Sequence, residues 1–147
     1  MISKYLKRFI LCGFAGWCLE CFWTGLGSII TASDKTLPCR TSVWMFPIYG
    51  TAMLIVPISK RLKGKSILIR GGIYTILIFL VEFITGSILS FFHLCPWDYS
   101  QAKFQIHGLI RLDYAPVWFL TGLFFEKLLN ESHRISLFKI VYGNKKN

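Results

Sequence analysis

Two glutamates, Glu20 and Glu82, stand near the middle of apolar stretches otherwise long enough to cross a bilayer. An acidic side chain at the centre of a spanning helix costs about 2.5–3.5 kcal/mol on insertion scales, and a leucine returns only about 0.3–0.6. Each glutamate therefore offsets several leucines. A chain carries such residues by turning them toward a bundle interior or a watery cavity, where they mark a functional site by default.

The sequence holds 17 Lys and Arg against 7 Asp and Glu. On a soluble fold that excess points to nucleic acid or acidic partners. Placement gives it another meaning here. Basic residues gather before the first apolar stretch (Lys4, Lys7, Arg8), between the second and third (Lys60, Arg61, Lys63, Lys65, Arg70) and after the last (Lys127, Arg134, Lys139, Lys145, Lys146). The two other connections keep only Lys35, Arg40, Lys103 and Arg111. That alternation is the positive-inside pattern of an even number of spans with both termini cytoplasmic. Nothing in it builds the basic surface a nucleic-acid binder needs. The first stretch begins like a signal peptide, but it carries Trp17, Glu20 and Trp23 and closes without a small-x-small cleavage site. It is expected to remain as a helix.

Four segments approach the length of about 20 residues that a hydrocarbon core requires. They run from about Phe9 to Thr31, Val43 to Ser59, Ile67 to Phe92 and Ala115 to Leu129. The second is short and interrupted by Pro47, Gly50 and Pro57. Interrupted helices often line transporter sites, and a proline near a helix start plus a packing glycine is the milder reading. Pro116 suits the first turn of the fourth helix, which leaves Gly108 to Tyr114 at the interface or folded inward. The expected fold is an all-α integral membrane protein: a four-helix transmembrane bundle, both termini cytoplasmic, second helix short and Pro/Gly-interrupted. Residues 1–130 form the four-span membrane domain and 131–147 a basic cytoplasmic tail. Ile135, Leu137, Phe138 and Ile140 allow that tail to lie on the inner membrane surface. A solvated tail is the alternative.

Glu20 shares a helical face with Gly13, Gly16, Trp23 and Gly27, and Glu82 with Thr75, Ile78, Thr85, Gly86 and Leu89. Small residues let a neighbouring backbone approach closely, so both faces point into protein. At 1.5 Å per residue the two glutamates lie about 16 and 22 Å from the inner side, at comparable depth. Burial disfavours the charged form of a carboxylate, and a close pair suits proton relay, cation coordination or acid–base work. The alternative is a buried strut, each glutamate bonded to an arginine or a backbone group.

Among the connections, Cys95-Pro96-Trp97-Asp98-Tyr99-Ser100 is the unusual string. Pro96 is expected to stop the third helix, while Trp97 and Tyr99 suit the headgroup belt. Asp98 either holds a cation or arginine at a cavity mouth or bonds local backbone in a turn. Arg40 is placed to reach a carboxylate or a lipid phosphate. Cys18 and Cys21 lack the partners of a zinc site. Cys39 and Cys95 fall on the same side and are candidates for a bridge in an oxidising compartment. No phosphate loop or nucleophile elbow is present.

Taken together, Thr41-Ser42-Val43-Trp44, Ile48-Tyr49-Gly50-Thr51, Ile73-Tyr74-Thr75, Glu82-Phe83 with Thr85-Gly86, Cys95 to Gln101 and Gly108-Leu109-Ile110 resemble the transmembrane protein 229 family. Gly16-Trp17 with Glu20, Arg40 before Pro47 to Gly50, Glu82, and Trp97 to Ser100 are similar to a bacterial group named putative ABC transporter type IV permeases. Cys39-Arg40-Thr41-Ser42 departs from the Asn-Arg-Gly usual there. The resemblance implies a small polytopic membrane protein with Glu20, Arg40, Tyr49, Glu82, Trp97, Asp98 and Tyr99 in one binding site. The expected function is a transporter- or permease-like subunit, more a carrier than an enzyme, without cofactor or bound metal. Its expected partners are the lipid bilayer, a second copy or partner membrane subunit, and a separate ATPase chain. In a bacterium it would sit in the plasma membrane. The alternatives are a membrane-embedded enzyme acting on a lipid or isoprenoid headgroup, and a structural or assembly factor.

Overall fold

The computed structural model describes residues 3–32 and 35–143, with side chains described up to residue 132 apart from residues 31 and 32. The described chain is helical except for one two-strand hairpin. Helix α1 spans Lys4–Ala32, α2 Met45–Gly50, α3 Ile55–Arg61, α4 Ile67–Phe91 and α5 Ala115–Gly143. A 3-10 turn, Thr51–Leu54, joins α2 to α3, and another, Leu112–Tyr114, leads into α5. Strands β1 (Gln105–Ile106) and β2 (Ile110–Arg111) pair antiparallel.

Expected and observed boundaries differ for physical reasons. Helix α1 begins at Lys4, because its first basic turn extends the helix that the apolar run defines. Helix α4 stops before Pro96 is reached. His93 adopts φ 56°, its N–H donates to the Ser90 carbonyl, and the Leu94 N–H donates back to Leu89. That pair of bonds is a Schellman stop. At the other end of α4, the Ser66 hydroxyl accepts from the Ile69 N–H, a side-chain cap on an otherwise unpaired donor.

The second segment is helical but not continuous. Pro57 has no N–H for the Met53 carbonyl and crowds it, and the tighter 3-10 turn falls just before it. In the hairpin, His107 and Gly108 take φ 52° and 68°, and Leu109 N–H closes the turn on Ile106 O. Two successive positive φ values match the twist of paired strands.

Helix α1 packs chiefly on α2, and α4 on α5, with α3 against α5. The contact α1–α2 is close because Gly16 has no side chain: a Cβ there would fall within the Tyr49 ring, and one at Gly13 would lie 2.7 Å from Phe46. A Cβ at Gly27 would meet nothing, so the glycine face is used over its first two turns. The fully buried side chains Tyr74, Phe125, Leu129 and Cys12 form a small core away from the loops.

The rest of the apolar surface faces outward. Lys4–Ile30 and Ile67–Phe91 are long and apolar enough to cross a membrane, and only 22% of each is buried in the chain. Ile69, Ile76, Leu80, Ile84, Ile88 and Phe91 of α4 are all exposed. An apolar face of that extent marks contact with lipid or another chain. Helix α5 runs without a break past Leu129 to Gly143, so the backbone of the expected tail begins as its continuation. The tail's side chains beyond Ser132, including Arg134, Ile135 and Lys139, and residues 144–147 lie outside the described residues.

Candidate functional site

Between the loop-side halves of α1, α2, α4 and α5 lies a cavity of about 950 Å³, at the upper end of the range for small-molecule sites. Helix α1 contributes Glu20, α2 contributes Tyr49, α4 contributes Glu82, and the connections contribute Arg40, Trp97 and Tyr99. Six of the seven expected site residues therefore line one space. Asp98 does not. Its Oδ1 accepts from the Ser100 N–H at 2.8 Å and its Oδ2 from the Ser100 hydroxyl at 3.1 Å. Of its two expected roles, the structure gives Asp98 the local turn.

That turn positions its neighbours. The Trp97 indole N–H donates to Leu109 O at 3.1 Å, and the Tyr99 N–H donates to Gly108 O at 2.8 Å. The hairpin thus holds both aromatics against the cavity. On the opposite side, the segment Cys39–Ser42 is fastened to α1. Trp17 Nε1 donates to Ser42 O at 3.0 Å, and the Arg40 N–H donates to the Thr24 hydroxyl at 3.0 Å. The Thr41 hydroxyl donates to Glu20 Oε2 at 2.8 Å.

The two glutamates are solvated by the protein to different degrees. Glu20 has its Thr41 donor. Glu82 Oε2 is buried without a hydrogen-bond partner, and so is Trp118 Nε1, although the indole N–H and the carboxylate lie close enough to influence each other. Neither glutamate forms an ion pair among the described residues. The Tyr49 and Tyr99 phenols line the same cavity, and each feels both carboxylates. Burial pushes the Tyr99 phenol above its ordinary range, Glu82, Tyr114 and Glu20 push the same way, and Arg111 opposes them. Tyr99 therefore remains neutral and can both donate and accept. The Arg40 side chain lines the cavity and makes no ion pair among the described residues.

Sequence reasoning missed Tyr114 and Trp118, which line the cavity together with Trp23, already placed on the inward face of Glu20. Ring centroids are 5.8 Å apart for Trp23–Tyr114, 5.9 Å for Tyr99–Tyr114 and 6.3 Å for Tyr114–Trp118, a continuous aromatic wall. Arg111 caps it from outside, 4.4 Å from the Tyr114 centroid and held at 2.8 Å by Asp113. The available signal was the spacing of Tyr114, Trp118 and Thr121 on one face at the start of the fourth helix. Also missed was the ion pair of Arg70 with Glu126, 3.1 Å, which joins α4 to α5 at the far end from the loops.

The five cysteines are free. Cys39 neighbours Cys21, within hydrogen-bond reach of its thiol, while Cys95 donates to Trp97 O. The expected neighbour of Cys39 was Cys95. Among the described residues no three of His, Cys, Asp and Glu gather as metal ligands.

The family model described as Putative ABC-transporter type IV matches residues 8–144. The chain belongs to that family. The match begins in the second turn of α1 and ends just past α5, so it takes in every cavity-lining residue. It is one of the two families that the sequence strings resemble. No solved structure matches the chain. Family membership and two long, outward-facing apolar helices together make this a membrane protein.

Proposed function

We propose that the chain is a four-span, permease-like membrane subunit whose cavity receives a proton or a cation at Glu20 and Glu82. The observation that carries this reading is the convergence of two carboxylates from membrane-length helices on one cavity, with neither in an ion pair. A buried strut needs a charged or hydrogen-bonding partner, whereas Glu82 Oε2 has none and Arg70 serves Glu126 instead. In this reading the basic connections face the cytoplasm, the cavity opens on the other side, and α2–α3 forms the short second span. Residues 131–143 then extend α5 on the cytoplasmic side. The family description, an ABC-transporter type, supports the further element of this reading, a separate ATPase chain that energises the subunit. Four helices enclose little volume, so a path across the membrane forms with a second copy or a partner subunit.

The test is proton movement in inverted membrane vesicles containing the full chain, energised by ATP or by an imposed gradient and followed with a pH-sensitive dye. Glu82→Gln and Glu20→Gln are each expected to reduce the signal at least tenfold at unchanged protein level. Unchanged signals in both variants overturn the reading. Arg40 in the cavity wall favours a second reading, an enzyme acting on a lipid headgroup. That reading predicts a glutamate-dependent product in lipid mass spectrometry instead.

A further inference from the structure

The cavity does not end at its polar walls. A second, apolar space of about 140 Å³ adjoins it between α2, α3, α4 and α5. The two share Met45, Ile48, Tyr49, Glu82, Trp118 and Thr121. Beyond these, the second space is lined by side chains such as Ala52, Leu77, Ile78 and Val81. Glu82 and Trp118 thus stand at the junction of a wide aromatic chamber and a narrow hydrocarbon one.

We propose that the joined cavities bind a single-chain cationic amphiphile, its ammonium head between Glu82, Glu20 and the aromatic wall, and the first few carbons of its alkyl chain in the apolar space. The inference rests on the reading that the cavity is a binding site, and it names the class of ligand. Three features select it. The chamber offers two carboxylates against Arg40, so a cation is favoured once both are ionised. Its other lining residues include six with aromatic rings, Trp23, Trp97, Trp118, Tyr49, Tyr99 and Tyr114, whose faces are electron-rich. Such faces attract weakly hydrated organic cations, whereas small divalent ions require shells of several oxygens. The apolar space opens beside Glu82 and not beside Arg40. A chain lying there delivers its head to the carboxylate that lacks a partner. A phosphate-bearing head would instead have to sit between chain and ammonium, away from Arg40.

The probes are dodecyltrimethylammonium, tetramethylammonium and the neutral dodecyl maltoside, with the full chain in a neutral detergent and binding read by native mass spectrometry. Dodecyltrimethylammonium is expected to bind at least tenfold more tightly than tetramethylammonium. Glu82→Gln should weaken it at least tenfold, and Ala52→Phe, which fills the apolar space without touching the charges, should remove the advantage of the long chain only. Equal binding of the two cations overturns the amphiphile and leaves a free ammonium ion as the ligand class. Binding that neither Glu82→Gln nor Glu20→Gln weakens overturns the proposal altogether. If no cation binds but the glutamate variants still abolish proton movement in vesicles, this inference fails and the permease reading stands. If the probe binds with glutamate dependence but proton movement ignores the variants, the inference stands and the permease reading fails.

Discussion

Glu82 on α4 and Glu126 on α5 sit on the same helix pair, and each is turned toward the other helix. Glu126 is 7% exposed and meets Arg70 at 3.1 Å, while Glu82 meets only the edge of Trp118 with one oxygen unpartnered. The first arrangement satisfies its charge at the cost of fixing two side chains. The second leaves desolvation uncompensated, which a fold tolerates where a ligand or proton supplies the missing partner. Position explains the division of labour. Arg70 and Glu82 are separated by about 18 Å along α4, so the core of Tyr74, Phe125 and Leu129 has an ion pair toward one end and a cavity toward the other.

Removing one charge at each end tests the contrast most strongly. Glu126→Ala leaves a half-buried arginine unpaired and is expected to cost somewhat less than the roughly 3–5 kcal/mol of a fully buried pair. Glu82→Gln breaks no ion pair and should change stability by less than about 1 kcal/mol while abolishing cavity function. Thermal unfolding of the two variants in the same detergent decides it, and equal losses would erase the distinction between strut and site. A smaller effect is expected at the cavity wall. Gly16→Ala inserts a methyl group into the Tyr49 ring, and overpacking of this kind costs about 1–3 kcal/mol. A melting temperature equal to the parent's would mean that Tyr49 can yield, and that the wall is less fixed than the helix contact implies.

The smallest effect belongs to the cavity's outer edge. The Arg111 guanidinium holds the Asp113 carboxyl below its ordinary value of 3.8. The stability from this pair is complete above that value and is lost as pH falls through the lower folded value. Because Asp113 is exposed, the contribution is minor. Asp113→Asn should melt slightly below the parent at about pH 6, and the gap should close by about pH 2. A gap that persists in acid would assign it to something other than the ion pair.

Much of the cavity was legible because charge inside an apolar run is conspicuous. Glu20 and Glu82 announce themselves, and Arg40, Tyr49, Trp97 and Tyr99 travel in recognisable strings. Asp98 was equally conspicuous, yet its oxygens serve a turn, since a carboxylate two residues before a serine bonds locally before it bonds at a distance. Tyr114 and Trp118 were invisible for the opposite reason. Aromatics near the end of an apolar segment look like headgroup anchors, and only packing shows that these turn inward. Glu126 was hidden by Lys127 beside it, which makes the pair look like the solvated end of a helix. The elements were legible wherever apolar runs were long. The end of α4 was read to within one residue, but its cause was not, because a histidine in the left-handed region leaves no composition signal.

Helix α5 carries Trp118 in its first turn and continues to Gly143, a rod of about 43 Å against a hydrocarbon core of about 30 Å. In the four-span reading, and without tilt, its two ends therefore do not both fit within the hydrocarbon core. A small tilt of the projecting end becomes a displacement of the indole beside Glu82, with the contact of Tyr74 on Gly122 as fulcrum. The helix acts as a lever, and whatever grips its far end has mechanical access to the cavity without touching it.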